Sequence, residues 1–593
     1  MKRNEIDNKY KWDLSDIYKN RKELDEDIKR LPELLKKIES FKGCILKTSK
    51  SLKELLDLTH EAECILERCE VYNYCLHDVE LDNKDANEGL DLTSNMINEY
   101  NQTISFIIPE ILLSKEDDVL SIIKEDKDLA LLDRHFKEMF RVKKHILSEN
   151  EEKILSTFEV LLDGYSKTQS YLTDKEIDYG EITVDGKCVK LVASNLKKYH
   201  LHKSRDVRRE TYEKESAALM QFNDTLANNF ISYVKTLESI AKLRHFDNYL
   251  EQVFYEADID TKVYDTLKNS VKKHHGAYEK YVGIFKKCLD LDEVYTYDMN
   301  APLFDKSTKE YTVEDAKAII LDTFKLYGDK YTEILKYAFE NGAIDYFPCE
   351  NKSTGWSSIY SVATLPKVFA NFDGKILDIS ALCHELGHFC NQYLSIKNNP
   401  FEYVYQSTFC AEVASLTNEI VFSHLYETDD KNTKAQLLFN FIKTFASNFF
   451  GAARQAIFEE EVHMRASRME ALSSSVLNEI WLSSADEVFG KALKGASSCQ
   501  WSTIPHFFLN NGYYVYNYST AIIAATNVAS KILDGEEGFI DKYMEFLKLG
   551  SNMRPQDCLA TLGIDMCDAK TYDVAINYFE NAIDKLDEYI EKR

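Results

Sequence analysis

The sequence His384-Glu385-Leu386-Gly387-His388 combines two histidines four positions apart with a glutamate directly after the first. On an α-helix this spacing puts both imidazoles on one face, roughly 5–6 Å apart at Cβ. Two such imidazoles can bind one metal ion, and Glu385 projects beside that ion, where it can accept a proton from activated water. The alternative is two histidines that only form hydrogen bonds inside a core helix.

Apolar residues recur at intervals of three and four around this motif, which predicts a buried or largely buried helix. They are Ile376, Leu377, Ile379, Leu382, Cys383, Leu386, Phe389, Cys390, Tyr393 and Leu394. Asp373 or Asp378 can cap its start, and Asn398-Asn399-Pro400 ends it. Gly387 lies inside the helix, where glycine costs about 1 kcal/mol relative to alanine. We expect its missing side chain to let a substrate or another backbone come close.

A catalytic metal site of this type needs a third protein ligand and one open position. Glu412 is the candidate, because it is a lone carboxylate in an otherwise small and apolar helix. We predict that this helix is continuous and begins at Ser407 or Thr408. Ser415 and Glu419 share the face of Glu412 and are expected to orient the ligands. The alternative is a half-exposed glutamate on an amphipathic helix.

Length and composition narrow the class of protein. The 593 residues are too many for one ordinary core, so we expect two or more lobes. The net charge of −26 argues against nucleic acid as a partner, because its phosphates would be repelled. The longest apolar run, residues 104–113, is too short to span a bilayer. With 13 cysteines, no CxxC pair and no leader segment, the sequence predicts a cytoplasmic protein.

Helical periodicity extends over most of the chain and predicts a mostly α fold. We predict an N-terminal helical lobe over residues 1–190 and a catalytic region over residues 191–593. The boundary follows residues 181–191, where alternation around Asp185-Gly186 predicts a β-hairpin.

A second non-helical segment, residues 343–375, precedes the motif helix. Residues 367–372 are predicted as a strand whose free edge could hold an extended peptide through main-chain hydrogen bonds. The alternative is a strand paired only within its own sheet. We predict that Phe369 on this strand and Gly355 in the preceding loop contribute to substrate binding.

An aromatic segment, residues 505–519, contains four tyrosines and a histidine within thirteen positions. Amide hydrolysis passes through an oxyanion, which phenol or imidazole donors beside a metal would stabilise. On a helix, Tyr513 and Tyr516 would share one face. Tyr514 and Tyr518 would share another. The alternative is a packed aromatic helix in a protein with 36 tyrosines.

Three of these segments together resemble the oligoendopeptidase F group of the thimet-oligopeptidase-like zinc metallopeptidases. They are residues 384–388, residues 411–415, and His506 with residues 513–518. Weaker similarity extends over most of the chain, including residues 12–18, the glycine loop at residues 353–355, and the helices after Gly550.

The resemblance implies a mostly helical fold with two lobes around a deep substrate channel and a small β-sheet near the metal-binding helix. It implies one zinc ion per chain, held by His384, His388 and Glu412, with Glu385 as general base. The implied activity is hydrolysis of internal bonds in short, unstructured peptides, without nucleic-acid or membrane partners.

The resemblance also assigns roles within the aromatic segment. His506 and Tyr516 would be catalytic donors to the transition state, and we assign Tyr513 and Tyr514 to substrate binding. Many relatives have a tyrosine two positions after the histidine, where this chain has Phe508.

Two other functions are compatible with the motifs. One is a metallo-carboxypeptidase on a related helical fold, and the other is a non-catalytic peptide-binding protein with a structural metal. A structural zinc site usually has four protein ligands and no adjacent base, whereas Glu385 is present here. Cobalt or manganese could replace zinc, since geometry and availability decide between them.

Overall fold

The computed structural model describes residues 2–304, 309–509 and 512–591, without the side chains of residues 149, 150, 153 and 156–161. The chain divides into two compact units, each assembled from three stretches. The first unit comprises Met1–Lys144, Thr308–Tyr426 and Lys531–Leu562. The second comprises His145–Ser307, Glu427–Ser530 and Gly563–Arg593.

The first unit is mainly helical and contains a three-stranded sheet. Its helices are Arg21–Glu39, Ser49–Val79, Lys84–Ile104, Ile107–Leu112, Glu116–Ile123, Asp133–Val142, Val313–Phe324, Asp329–Glu340, Ile376–Asn398, Thr408–Ala411, Val413–Leu425, Phe539–Phe546 and Pro555–Ala560. In the sheet, Thr364–Phe369 pairs antiparallel with Ser357–Ser361 and parallel with Ile344–Asp345. The predicted mostly α fold with a small sheet before the motif helix is therefore confirmed.

The second unit is also mainly helical. Its helices are Glu149–Tyr171, Ala193–His200, Arg205–Gln221, Asn223–Leu243, Tyr249–Glu256, Lys262–Lys273, His275–Cys288, Lys431–Phe445, Ala452–Ser467, Ser474–Phe489, most of Tyr516–Leu533, and Ala569–Glu591. Val294–Tyr295 pairs parallel with Leu493–Lys494. Among the described residues of both units, no helix is long and apolar enough to cross a lipid bilayer.

The predicted β-hairpin is confirmed. Glu181–Val184 pairs antiparallel with Lys187–Lys190, and Asp185-Gly186 forms the turn with φ of 49° and 76°. Two consecutive residues with positive φ are what a two-residue type I′ turn needs. The predicted division after residue 190 falls at the end of this hairpin, inside the second unit, because each unit combines distant stretches of chain. The division into residues 1–190 and 191–593 stays a prediction.

The N-terminal segment is anchored on the three-stranded sheet. The Trp12 indole N–H donates to the carbonyls of Ala343 and Val368, at 3.1 and 2.9 Å. Arg3 and Lys352 both form ion pairs with Asp345, at 2.7 and 2.8 Å. Burial alone would raise the pKa of Asp345, but the hydrogen bond from Arg3 and the charge of Lys352 hold this pKa below its usual range.

The strand before the motif helix differs from its prediction in position and in pairing. It spans Thr364–Phe369 and is the central strand of its sheet, paired on both sides at Val368 and Phe369. The predicted free edge is therefore wrong for this strand. The edge next to it is Ser357–Ser361, which the sequence did not mark because three of its five residues are serines.

Gly387 lies where the motif helix, Ile376–Asn398, packs against the helix Val413–Leu425. A Cβ on Gly387 would be 2.6 Å from the Cα of Ser415 and 2.7 Å from the carbonyl oxygen of Ala414. Both distances are too short for any real Cβ contact, and both partners are backbone atoms. Of the two reasons expected for this glycine, the close approach of another backbone is confirmed.

We predict that Gly387→Ala destabilises the protein by about 1–3 kcal/mol, because the two helices must separate. Inside a helix alanine is more favourable than glycine by up to about 1 kcal/mol. A net destabilisation of Gly387→Ala must therefore come from the steric clash. Thermal unfolding of Gly283→Ala is the matched control, since Gly283 is also helical but has open space at its Cβ. An equal or higher midpoint for Gly387→Ala would contradict the close contact.

Candidate active site

His384, His388 and Glu412 form one cluster in the first unit. The Oε2 atom of Glu412 lies 3.4 Å from Nε2 of His384 and 3.3 Å from Nε2 of His388. One ligand atom from each residue lies within 4.8 Å of the others. Two imidazoles and one carboxylate at this separation are a donor set that fits a transition-metal ion.

The predicted continuous helix around Glu412 is wrong at Glu412 itself. The chain forms Thr408–Ala411 and then Val413–Leu425, with Glu412 in the turn between them. There the Ser415 hydroxyl donates to the carbonyl of Glu412 at 3.0 Å and to its carboxylate at 2.8 Å. A serine that bonds to nearby backbone in this way competes with regular helix geometry. The hydrogen bond to the carboxylate also helps to hold it beside the histidines.

Glu419 contacts the opposite side of His384. Its Oε2 atom lies 3.4 Å from Nδ1 of His384, about one helical turn beyond Ser415. A carboxylate on Nδ1 keeps the proton there and leaves Nε2 free to bind a metal. The predicted orienting positions of Ser415 and Glu419 therefore agree with these contacts.

Burial and charge set the protonation of this cluster. Burial disfavours a charged His384, but hydrogen bonds to Glu412 and Glu419 outweigh it and raise the pKa of His384 well above its usual range. Burial would likewise raise the pKa of Glu412, yet the charges of His388 and His384 hold it well below its usual range. Glu385 is buried, and burial raises its pKa despite the opposing charges of His384 and His388. A carboxylate with a raised pKa suits a general base.

A cleft of about 350 Å³ opens over the cluster. His384, Glu385, His388 and Glu412 line one part of it. The edge strand lines another part through Ser357, Ser358 and Tyr360, with Trp356 immediately before it.

The two residues predicted to bind substrate in this region differ. Gly355 is exposed, has φ of 117°, and directly precedes the cleft residue Trp356. Phe369 is buried, packs 5.8 Å from Trp12 between ring centroids, and is not among the described residues that line the cleft. The cleft contribution expected of Phe369 is instead made by Ser357 and Ser358, because the strand of Phe369 is central.

The aromatic segment, in the second unit, is not helical throughout. Its helix begins at Tyr516, so Tyr513 and Tyr514 precede it, and Tyr513 has φ of 51°. The predicted shared helix faces are therefore wrong. Tyr513 and Tyr516 instead meet in the unit's core, where both rings contact Tyr264, at 6.2 and 5.6 Å between centroids.

A different trio of side chains from this segment forms a partly exposed cluster. The rings of Tyr514 and Tyr518 lie 6.0 and 5.7 Å from His506, and the Tyr518 hydroxyl is 3.3 Å from Nε2 of His506. Sequence analysis did not assign Tyr518 to the site. The i, i+4 spacing from Tyr514 could have indicated it, because the two rings lie 5.6 Å apart although only Tyr518 is helical.

Glu459 holds the part of this segment that directly precedes its helix. One carboxylate oxygen accepts a hydrogen bond from the backbone N–H of Tyr513 at 2.7 Å and lies 3.3 Å from where a Cβ on Gly512 would be. The other oxygen is buried without a hydrogen-bond partner among the described residues. Burial raises the pKa of Glu459 to about 8, so the carboxyl group is mostly protonated at neutral pH.

This raised pKa predicts a pH-dependent stability. Between about pH 4.5 and 8 the folded state keeps a proton on Glu459 that the unfolded state releases, so the free energy of unfolding falls as the pH rises. Glu459→Gln keeps the acceptor and removes the titration. We expect its thermal midpoint to rise relative to wild type as the pH increases from 5 to 8. Parallel midpoints of Glu459→Gln and wild type across this range, with Glu461→Gln as control, would contradict the assignment.

A second prediction concerns metal affinity. Glu419→Gln is expected to weaken metal binding by about 10–100-fold, because the neutral amide no longer orients and polarises His384. Equilibrium dialysis with zinc measures this directly. Glu340→Gln, an exposed carboxylate at a helix end, is the matched control. Unchanged zinc affinity in Glu419→Gln would remove the orienting role.

Comparison with known proteins places this geometry in a family. Residues 199–578 match the model of peptidase family M3, and residues 110–179 match the model described as oligopeptidase F. The interval between the two models contains the predicted division after residue 190. An oligoendopeptidase F homolog from Borreliella burgdorferi is 30% identical over 596 residues, which cover 99% of each chain. Oligopeptidase PepF from Bacillus subtilis is 28% identical, over 100% of this chain and 88% of the relative.

Solved structures agree with the sequence relatives. A putative peptidase from Chlamydophila abortus superposes with a TM-score of 0.88 at 28% identity, over 99% of both chains. Oligoendopeptidase F from Enterococcus faecium has the same fold, with a TM-score of 0.76 at 24% identity over 97% of this chain and 100% of that one. The family model covers most of the chain and includes the cluster of two histidines and a glutamate. The chain belongs to peptidase family M3, and it is a metalloendopeptidase of the oligoendopeptidase F type.

Proposed function

We propose that this protein is a zinc-dependent oligoendopeptidase that cleaves internal bonds of short, unstructured peptides, with Glu385 as general base. The observation that carries the proposal is the cluster of His384, His388 and Glu412 within 4.8 Å, with Glu385 lining the same cleft. Two neutral nitrogen ligands and one carboxylate are the ligand set of catalytic zinc sites that keep an open position.

His384, His388 and Glu412 would hold the ion. When bound, zinc would lower the pKa of water and polarise the scissile carbonyl. Glu419 and Ser415 fix the two ends of this ligand set, His384 and Glu412, before any substrate arrives. Such preorganisation limits the reorganisation that the reaction itself would require.

Glu385 carries the proton transfers in this proposal. Its carboxylate accepts a proton from the attacking water and then delivers it to the amine of the leaving group. Its buried position and raised pKa support both steps. A carboxylate whose pKa is nearer to neutral pH can both accept and release a proton within one catalytic cycle.

The edge strand Ser357–Ser361 supports a peptide substrate. It lines the cleft beside the ligands, and a sheet edge can pair with an extended chain without reading its side chains. Pairing of this kind needs a free extended segment, which short, unstructured peptides supply readily. His506 and Tyr516 are proposed as donors to the oxyanion on the strength of their motif, and Tyr513 and Tyr514 as substrate-binding residues.

The test is a peptide digest by wild type and by Glu385→Gln. The variant is expected to bind one zinc ion per chain, yet to lose about two orders of magnitude or more in turnover, since general-base catalysis contributes that much. Glu340→Gln controls for the loss of a carboxylate elsewhere in the same unit. Near-normal turnover by Glu385→Gln would exclude it as the base.

Mass spectrometry of the same digest separates the alternatives. Internal cuts in short peptides, abolished by a chelator and restored by zinc, identify the oligoendopeptidase. Stepwise loss of C-terminal residues would identify a carboxypeptidase instead. Intact peptides with stoichiometric zinc would identify a peptide-binding protein, and restoration only by cobalt or manganese would replace zinc as the cofactor.

A further inference from the structure

A second cavity, of about 340 Å³, lies wholly within the second unit and shares no residue with the cleft over the metal cluster. Its walls combine aromatic and polar side chains, and its size is in the range of small-molecule sites. The residues that line it include Tyr278, Trp481, Phe489, Glu215, Ala496 and Arg454.

Arg454 is the cation in this cavity. Its guanidinium carbon lies 3.6 Å from the ring centroid of Trp481 and 5.3 Å from that of Phe489. One terminal nitrogen donates to the carbonyl of Trp481 at 3.0 Å. Its Nε atom is buried without a hydrogen-bond partner among the described residues. Since arginine offers five N–H donors in a rigid plane, most of this capacity is unused.

No carboxylate of the described chain forms an ion pair with Arg454. The carboxylate that lines the cavity, Glu215, is engaged by His200, with 2.9 Å between Nε2 and the carboxylate oxygen. Asp486 acts on Arg454 only through its longer-range charge. A partly buried cation without a counterion is costly, and burial lowers the pKa of Arg454 to about 10. An anion in the cavity would remove this cost.

The aromatic residues in the cavity wall favour one class of anion. Tyr278 stacks on Phe489 with 4.3 Å between ring centroids, so the surface beside the guanidinium is flat and apolar. A single guanidinium balances one negative charge, and the nearby Glu215 disfavours a second. A carboxylate matches the fork of an arginine with two parallel hydrogen bonds, and an apolar body suits the aromatic walls.

We propose that this cavity binds a small monocarboxylate with an apolar or aromatic body, which pairs with Arg454. Two sources have this chemistry: a free aromatic acid, and the C-terminus of a peptide that ends in an apolar residue. The proposal concerns a site separate from the one assigned to catalysis, and its test uses binding rather than turnover.

The experiment is calorimetric titration of the zinc-loaded, full-length protein with benzoate and with its neutral analogue benzamide. We expect one benzoate per chain, and at least about tenfold weaker binding of benzamide, because a hydrogen bond to a charged group is lost. Equal affinity for the two, or no binding of benzoate at millimolar concentrations, would overturn the proposal.

Two variants locate the site. Arg454→Gln is expected to weaken benzoate by about tenfold or more, while Arg465→Gln on the same helix leaves it unchanged. Ala496→Phe fills the cavity from an exposed position without touching the buried arginine, so it tests the site even if Arg454→Gln does not fold. Benzoate held by the metal ion would be insensitive to both variants, and that result would overturn the proposal.

The source is decided by a second pair of probes, N-acetylphenylalanine and its amide. Tighter binding of N-acetylphenylalanine than of benzoate, lost in the amide, identifies a peptide C-terminus. Weaker binding identifies a free acid.

Discussion

The site depends on one close contact between two backbones. At Gly387 the helix that carries both histidines lies against Ala414 and Ser415, so near that no side chain fits between. Glu412 stands immediately before this contact, and that is why its carboxylate reaches both imidazoles. His384 and His388 come from one helix and Glu412 from the turn before the next, but their separation is set by main-chain atoms, which do not change rotamer. The interior around them is close-packed, so small displacements of either helix are resisted.

This protein accommodates buried ionisable groups in two different ways. In the metal cluster, carboxylates and imidazoles lie next to one another, so each compensates the burial of the other. Among the described residues no cation pairs with Glu459; burial instead favours its neutral form, and a backbone N–H is its partner. The first arrangement creates a site that prefers a cation. The second fixes the backbone of the aromatic segment without adding a charge to the core.

The cluster of His384, His388 and Glu412 could be predicted from sequence because its chemistry is local: a four-residue spacing and a lone carboxylate among small and apolar residues. The hairpin was predictable for the same reason, since Asp185-Gly186 specifies its own turn. The edge strand Ser357–Ser361 was not, because three of its five residues are serines and its apolar alternation is weak. The pairing of His506 with Tyr518 was not, because it joins residues twelve positions apart that do not share one helix. The break at Glu412 was missed because the small and apolar residues around it are all compatible with a continuous helix.

The anchoring of the N-terminal segment has a consequence for biosynthesis. Arg3 and its partner Asp345 are 342 positions apart in the chain. A ribosome that adds about 5–20 residues per second needs roughly 20 to 70 seconds between them. During that interval Trp12 has no sheet to bind, while the whole stretch His145–Ser307 is made. The unit that starts first during translation is thus completed only after much of the other has emerged, and its apolar N-terminal surface must be shielded until then.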